Sequence, residues 1–89
     1  MLKPVYVKQF NKDIKRSKKR GKDLEKLKDV IDLLVEKKKL PTKNKDHKLT
    51  ENFHEYRECN VAPNWLLIYK IEGGYIFFVR TGTHSDLFE

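Results

Sequence analysis

Three side chains near the end of the sequence could do chemistry together. Arg80 closes an apolar, β-rich run, Tyr75 to Val79; His84 follows four residues later and Phe88 four after that. A guanidinium can grip a phosphate, an imidazole can move a proton near neutral pH, and an aromatic ring can stack on a base. Cleavage of RNA asks for those groups, because RNA carries its own nucleophile, the 2′-hydroxyl. The reaction needs a base for that hydroxyl, positive charge on the phosphate and an acid for the leaving 5′-oxygen. No metal or other cofactor is required in principle. His47, in a polar loop, is a candidate for proton transfer or phosphate contact. Glu58 is a candidate base, or a residue that orients a histidine.

Each of these residues also has an ordinary explanation. Arg80 could form a surface salt bridge to Glu58 or Glu55. His47 could bond the backbone of its loop, and Phe88 could be a hydrophobic plug holding the tail onto the sheet. Arg57 and Glu58 are neighbours on one strand and point to opposite faces, so both cannot project into one site. Arg57 is either structural or a phosphate contact at the rim. Glu58 shares its face with His54 and Tyr56; His54 is read as surface, and Trp65 and Tyr69 as core. A zinc site from His47, His54, Cys59 and His84 lacks any C-x-x-C or H-x-x-x-H spacing, so no metal is expected.

The 89 residues make one domain, 1–89, with a small core. The net charge of +7 favours a polyanionic partner. It is unevenly placed: residues 1–48 hold 17 Lys+Arg against 7 Asp+Glu, and residues 49–89 hold 3 against 6. The basic half and the candidate chemical half are therefore different stretches of chain. With a single cysteine, Cys59, no intramolecular disulfide can form. Met1 to Val7 has the character of neither a signal peptide nor a membrane span. A cytoplasmic protein with no membrane contact is the expectation.

The elements that must position these groups follow from periodicity. Val5–Val7 reads as a short strand, and residues 8–20 as a helix with Phe10, Ile14 and Ser17 on one side. Gly21 ends that helix. Asp23 caps a second helix over about 23–39, in which Leu24, Leu27, Ile31 and Leu34 form an apolar face. Lys37, Lys38 and Lys39 suit its negative end, and Pro41 stops it. Thr42 to Asn52 is a polar loop containing Asp46-His47. Phe53–Cys59 alternates as a strand, with Asn60 one residue past its end. Ala62-Pro63-Asn64 turns into the buried run Trp65–Tyr69, and Gly73-Gly74 turns into Tyr75–Thr81. A helical turn over about 85–88 ends the chain. The order β-α-α-β-β-β predicts an α+β fold: an antiparallel sheet with a helical hairpin on one face.

The chain resembles the RelE/ParE superfamily of bacterial toxins, in its YafQ-like branch, over nearly its whole length. The resemblance is carried by Lys45-Asp46-His47, Tyr56-Arg57-Glu58, Pro63-Asn64-Trp65-Leu66-Leu67-Ile68-Tyr69-Lys70, Arg80-Thr81-Gly82-Thr83-His84 and Leu87-Phe88, in that order. It implies a microbial RNase-like fold and a ribosome-dependent endoribonuclease that cuts mRNA in the A site, leaving a 2′,3′-cyclic phosphate. It implies partners: a cognate antitoxin, the ribosome and mRNA, with DNA bound only through the antitoxin complex. By the same resemblance His84 is the general acid, Arg80 the phosphate ligand and Phe88 the ring that positions substrate. YafQ-like sequences usually carry histidine at position 60 and often aspartate at 64, where this chain has Asn60 and Asn64. Neither asparagine titrates, so both are placed as substrate contacts. That departure keeps open a catalytically weakened or non-catalytic binding module, or a ParE-like gyrase inhibitor. A free helix-hairpin DNA binder is weaker, because the helices lack a base-reading set of Asn, Gln and Arg.

Overall fold

The structure, a computed structural model, describes residues 1–49 and 55–88. Among the described residues five strands form one sheet in the order β1-β5-β4-β3-β2, with β1 Lys3–Tyr6, β2 His47–Lys48, β3 Arg57–Ala62, β4 Trp65–Glu72 and β5 Tyr75–Gly82. Helices α1 Lys8–Lys19 and α2 Leu24–Val35 pack on one face, and the short α3 His84–Phe88 follows β5. The α+β reading stands, with two differences in the sheet: the expected loop at 42–52 contains the two-residue strand β2, and β1 is not antiparallel. β1 runs parallel to β5, whereas β2, β3, β4 and β5 pair antiparallel in turn. The helical hairpin carries the chain from one edge of the sheet to the other. Three successive reversals then bring β5 back beside β1 in the same direction.

Phe10 of α1 and Leu27, Ile31 and Leu34 of α2 meet Leu67, Tyr69, Ile76 and Phe78 of the central strands in one core. Burying each large side chain contributes about 2–3 kcal/mol, which is how so short a chain holds a single fold. β4 sits third of five, so Trp65 to Tyr69 are buried on both faces, as a continuous apolar run requires. Gly73 and Gly74 both have positive φ, +57° and +82°, the conformation a two-residue hairpin turn demands.

Several boundaries moved, among them the first strand, expected at Val5–Val7 and found at Lys3–Tyr6. The strand expected at 53–59 lies at 57–62, its register with β4 set by the Pro63-Asn64 turn, and Asn60 is inside it. Residues 53 and 54 of the expected strand lie outside the described residues. Helix α2 stops at Val35, so Lys37, Lys38 and Lys39 lie beyond it and not in its last turn. The cause is local. Lys37 takes φ +60°, its N–H bonds Leu34 O at 3.1 Å, and Lys38 N–H bonds Leu33 O at 2.9 Å. This is the hydrogen-bond pattern that normally has glycine in the left-handed position. Gly21 closes α1 the same way: it has φ +77°, and Lys22 N–H donates to Ser17 O.

A lysine in the left-handed region is strained, while glycine raises the entropy of the unfolded chain. The first effect is larger. Lys37→Gly should therefore stabilise the fold by about 0.5–1 kcal/mol, seen as a rise of about 3 °C in the thermal midpoint.

Candidate functional site

The strand register lines up residues that are distant in sequence. His47 is opposite Glu58, Glu58 opposite Ile68, and Ile68 opposite Arg80, making one row across β2, β3, β4 and β5. With strands about 4.8 Å apart, His47 and Arg80 are separated by roughly 14 Å of sheet with Ile68 as the floor between Glu58 and Arg80. The next row is Asn60, Leu66 and Gly82. Leu67 and Tyr69 belong to the helix-packed core, so by alternation both rows occupy the sheet's other, open face.

His47 belongs to a two-residue strand and not to a free loop. Its Nδ1 lies 2.6 Å from the carbonyl oxygen of Lys45. A carbonyl only accepts, so Nδ1 carries a proton, and Nε2 is the nitrogen left to exchange one. Nε2 sits 3.5 Å from Oε1 of Glu58, whose side chain is only 9% exposed. A carboxylate and a proton-exchanging imidazole thus stand together at one end of the row. The expected loop-backbone bond of His47 and the candidate proton role coexist in the same ring.

Arg80 departs from simple alternation. Phe78 pairs with Tyr69 but Arg80 pairs with Ile68, so β5 has a bulge at Val79. Arg80 consequently does not share a face with Ile76 and Phe78, because one extra residue inverts the side-chain pattern. Nor is its partner Glu58 or Glu55. Nε of Arg80 donates to Oδ2 of Asp13 at 2.7 Å, and Nη2 donates to Oδ1 at 3.3 Å. Asp13 has no side-chain exposure, whereas Arg80 retains 28%. Its carboxylate also accepts from Thr81 N–H at 3.1 Å, Arg16 Nη2 at 3.1 Å and Gln9 Nε2 at 3.2 Å. Guanidinium has five N–H donors, and Asp13 occupies two, so the Nη1 side of the fork remains for an anion.

The tail is fastened by a second carboxylate. Asp86 accepts from Arg20 Nη1 at 2.7 Å and Nη2 at 3.3 Å, with Arg16 Nη2 3.9 Å away. It also accepts from Thr83 N–H at 2.9 Å while its own N–H donates to Thr83 Oγ1 at 3.1 Å. This reciprocal pair is a capping box at the start of α3. The Arg20 hydrogen bond, followed by that of Thr83, holds the Asp86 carboxyl well below the usual carboxylate range. A Cβ at position 82 would come within 3.0 Å of Asp86 Cβ, so glycine is what lets the tail lie this close. α3 carries His84 and Phe88, whose rings are 5.0 Å apart. Asn64, at φ +56° in its turn, accepts from the backbone N–H of His84 at 3.4 Å.

Arg57 stands apart from this face. Its Nε is 3.3 Å from both Asp46 Oδ1 and Tyr69 Oη, on the helix-packed side, opposite to Glu58 as strand alternation requires. Burial first, and then its bond to Asp46, push the Tyr69 hydroxyl up, so it stays protonated and donates at 2.6 Å. Arg57 is therefore tied to Asp46 and Tyr69 and does not join the row. Trp65 and Tyr69 are core residues, and Trp65 Nε1 donates to the buried Thr81 Oγ1 at 3.0 Å. Cys59 is fully buried, and burial pushes its thiol up to about 12. It lies in the helix-packed core, on the side away from His47 and Glu58. Among the described residues no three His, Cys, Asp or Glu side chains converge as metal ligands. His54 lies outside the described residues.

Asp13 and Asp86 carry the site's geometry, and reading the sequence for reactive groups passed over both. A signal existed for each. Asp13 sits between Phe10 and Ser17 in the buried stripe of α1, where an unpaired carboxylate would be costly. Thr83-x-x-Asp86 is the spacing of a capping box.

A basic α+β domain with a carboxylate–histidine pair, a pinned arginine and a histidine-bearing tail has the equipment of a toxin-type ribonuclease. Comparison with known proteins gives the family. The family whose model matches the chain, over residues 2–89, is described as "Bacterial toxin of type II toxin-antitoxin system, YafQ". The mRNA interferase toxins YafQ of Escherichia coli strains B/BL21-DE3 and K12 are 45% and 44% identical over 84 residues, 93% of this chain and 91% of each relative. The crystal structure of YafQ from E. coli BL21(DE3) superposes with a TM-score of 0.94 at 41% identity, covering 100% of both chains. The E. coli DinJ–YafQ toxin–antitoxin complex gives 0.90 at 41%, again over 100% of both chains. A copper-bound mutant toxin from Helicobacter pylori gives 0.95 at 34%, over 99% of this chain and 100% of that one. The chain belongs to the YafQ toxin family.

Two outcomes follow from the carboxylates. Asp13→Ala strips Arg80, Arg16 and Thr81 N–H of their common acceptor and should cost about 2–4 kcal/mol, a fall of at least 10 °C in the thermal midpoint. The folded-state value of Asp86 lies below its unfolded value, so its contribution is full above about pH 4 and is lost as pH falls below that. Acidification should therefore release α3 while β4 and β5 persist. In NMR spectra the His84–Phe88 amides should lose protection first in wild type, and should already be unprotected at pH 7 in Asp86→Asn.

Proposed function

We propose that this protein is the toxin of a type II toxin–antitoxin pair and an endoribonuclease that cleaves mRNA on the ribosome. The observation that carries the reading is the single row joining His47, Glu58 and Arg80, with His84 brought beside the adjoining row through Asn64. A phosphodiester laid over Ile68 and Leu66 would have a proton acceptor on one side and a guanidinium on the other.

In that arrangement Glu58 takes the proton of the 2′-hydroxyl, and His47, whose Nε2 lies 3.5 Å from its Oε1, stands beside it at the phosphate. The oxygen attacks the adjacent phosphorus, and the free side of Arg80 stabilises the extra negative charge on the phosphoryl oxygens. His84 donates a proton to the departing 5′-oxygen. The products are a 2′,3′-cyclic phosphate and a 5′-hydroxyl. Phe88 stacks against the substrate base, and Asn60 and Asn64 contact the nucleotide or orient His84. The reaction needs neither a metal nor an organic cofactor. The partners are a cognate antitoxin, the ribosome and mRNA, and the setting is cytoplasmic. Among the described residues no helix is long and apolar enough to cross a membrane. An acidic antitoxin segment that folds on binding would complement a toxin of net charge +7.

Primer extension on translated mRNA tests the reading. Arg80→Ala and His84→Ala should each lower cleavage by about 10²–10³-fold, the usual cost of one stabilising donor at a reacting centre. Full activity in both variants would reject the assignment, and DNA damage without mRNA cuts would point to gyrase. Asn60 is one row from Glu58, on the same face. Asn60→His adds a titrating group there and should raise single-turnover cleavage, with a new limb near neutrality in the pH–rate profile. Identical profiles would remove position 60 from the proton-transfer set.

A further inference from the structure

The open face does not end at the row of Glu58, Ile68 and Arg80. Two residues further along β4 is Lys70, opposite Phe77, and two further is Glu72, opposite Tyr75. All continue the face of Ile68, because the bulge lies in β5 and β4 keeps its alternation. On this stretch cations and rings interleave. Lys70 Nζ lies 5.6 Å from the ring centre of Tyr56 and 5.5 Å from that of Phe77. The Phe77 and Tyr75 rings are 6.2 Å apart, and Lys3 Nζ from the neighbouring β1 lies 6.0 Å from Tyr75. Tyr75 is 43% exposed. Among these groups the one acid is Glu72, whose Oε1 is 3.9 Å from Lys70 Nζ at the far end of the track.

Nothing in the cleavage step uses these residues. Aromatic rings on the solvent side of a sheet contribute nothing to the helix-packed core. A lysine held between two rings has its ammonium fixed and its stem desolvated. Rings alternating with fixed ammonium groups are what single-stranded nucleic acid stacks on and what neutralises its backbone. From Ile68 to Glu72 the track covers about 13 Å, more than one nucleotide. It starts where the scissile phosphate would lie.

We propose that Tyr56, Lys70, Phe77, Tyr75 and Lys3 form an extended subsite for single-stranded RNA, holding the nucleotides that run out of the cleavage site across the open face of the sheet. The subsite rests on the ribonuclease reading for its starting point but is tested by binding and not by cleavage. It confers affinity without sequence preference, since every base offers a ring face.

The test uses the full chain and two fluorescein-labelled probes, a trimer and a nonamer of 2′-O-methyl RNA, which lack the attacking hydroxyl. Anisotropy is measured at fixed salt. Phe77 is half-buried, so the substitutions are Tyr75→Ser and Lys70→Gln. Each should weaken the nonamer about tenfold or more and leave the trimer unchanged. Three results would overturn the proposal: a wild type that binds the nonamer no better than the trimer, equal losses for both probes, or loss of antitoxin binding with RNA binding intact. Cleavage of translated mRNA by the wild type is scored separately, so failure of the ribonuclease reading is seen independently of the subsite.

Discussion

The carboxylate of Asp13 is the interaction on which the site depends. β1 is short and its last pair is Tyr6 with Phe78, but β5 runs on to Gly82. Beyond Phe78 that edge has no strand to bond to, and a buried N–H without a partner is costly. Asp13 fills the gap from α1: one oxygen takes Thr81 N–H and Arg80 Nε together. The sheet is thereby closed by a side chain where its backbone partner has run out. That side chain is charged, so it also aims an arginine. Folding and site geometry share one group, which no arrangement of surface ion pairs would achieve.

Helix α1 extends the same principle to the tail. Arg16 lies between Asp13 and Asp86, and Arg20 completes the grip on Asp86. Arg16 in α1 and Arg20 at its C-terminal cap are engaged in holding acids, while Lys12, Lys15, Lys18 and Lys19 remain exposed. The division follows from chemistry: guanidinium offers a planar fork suited to carboxylates, and ammonium is a hydrated point charge suited to a diffuse polyanion. The basic half of the chain thus holds two kinds of cation that net charge alone does not separate.

The open face carries His47, Glu58 and Arg80 in one row with little dedicated structure. Rows across a sheet place residues at fixed spacing whatever their separation in sequence. The row from His47 to Arg80 draws on four strands, and His84 is added by a helix of a single turn or so. Ile68 and Leu66 are buried in the floor of this region, a low-dielectric base on which charges above interact more strongly than in water.

By itself the sequence determined the elements and their order, apart from the two-residue strand β2. The apolar stripes of α1 and α2, Gly21, Gly73-Gly74 and the run Trp65–Tyr69 each state a local preference that survived folding, because tertiary packing reinforced it. Arg80, His84 and Phe88 were legible as reactive types, and motif order was enough to indicate the family. Tertiary structure decided what those types touch. Pairing register moved β3 onto Asn60. A single extra residue at Val79 turned Arg80 to the other face, and strand alternation carried Arg57 away from Glu58. Asp13 was legible only as a polar residue in an apolar stripe; its five donors come from positions 9, 16, 80 and 81, and their convergence exists only once α1 lies along the edge of β5. Composition and periodicity report nearest neighbours in the chain, whereas register, bulges and buried charge depend on contacts between segments tens of residues apart.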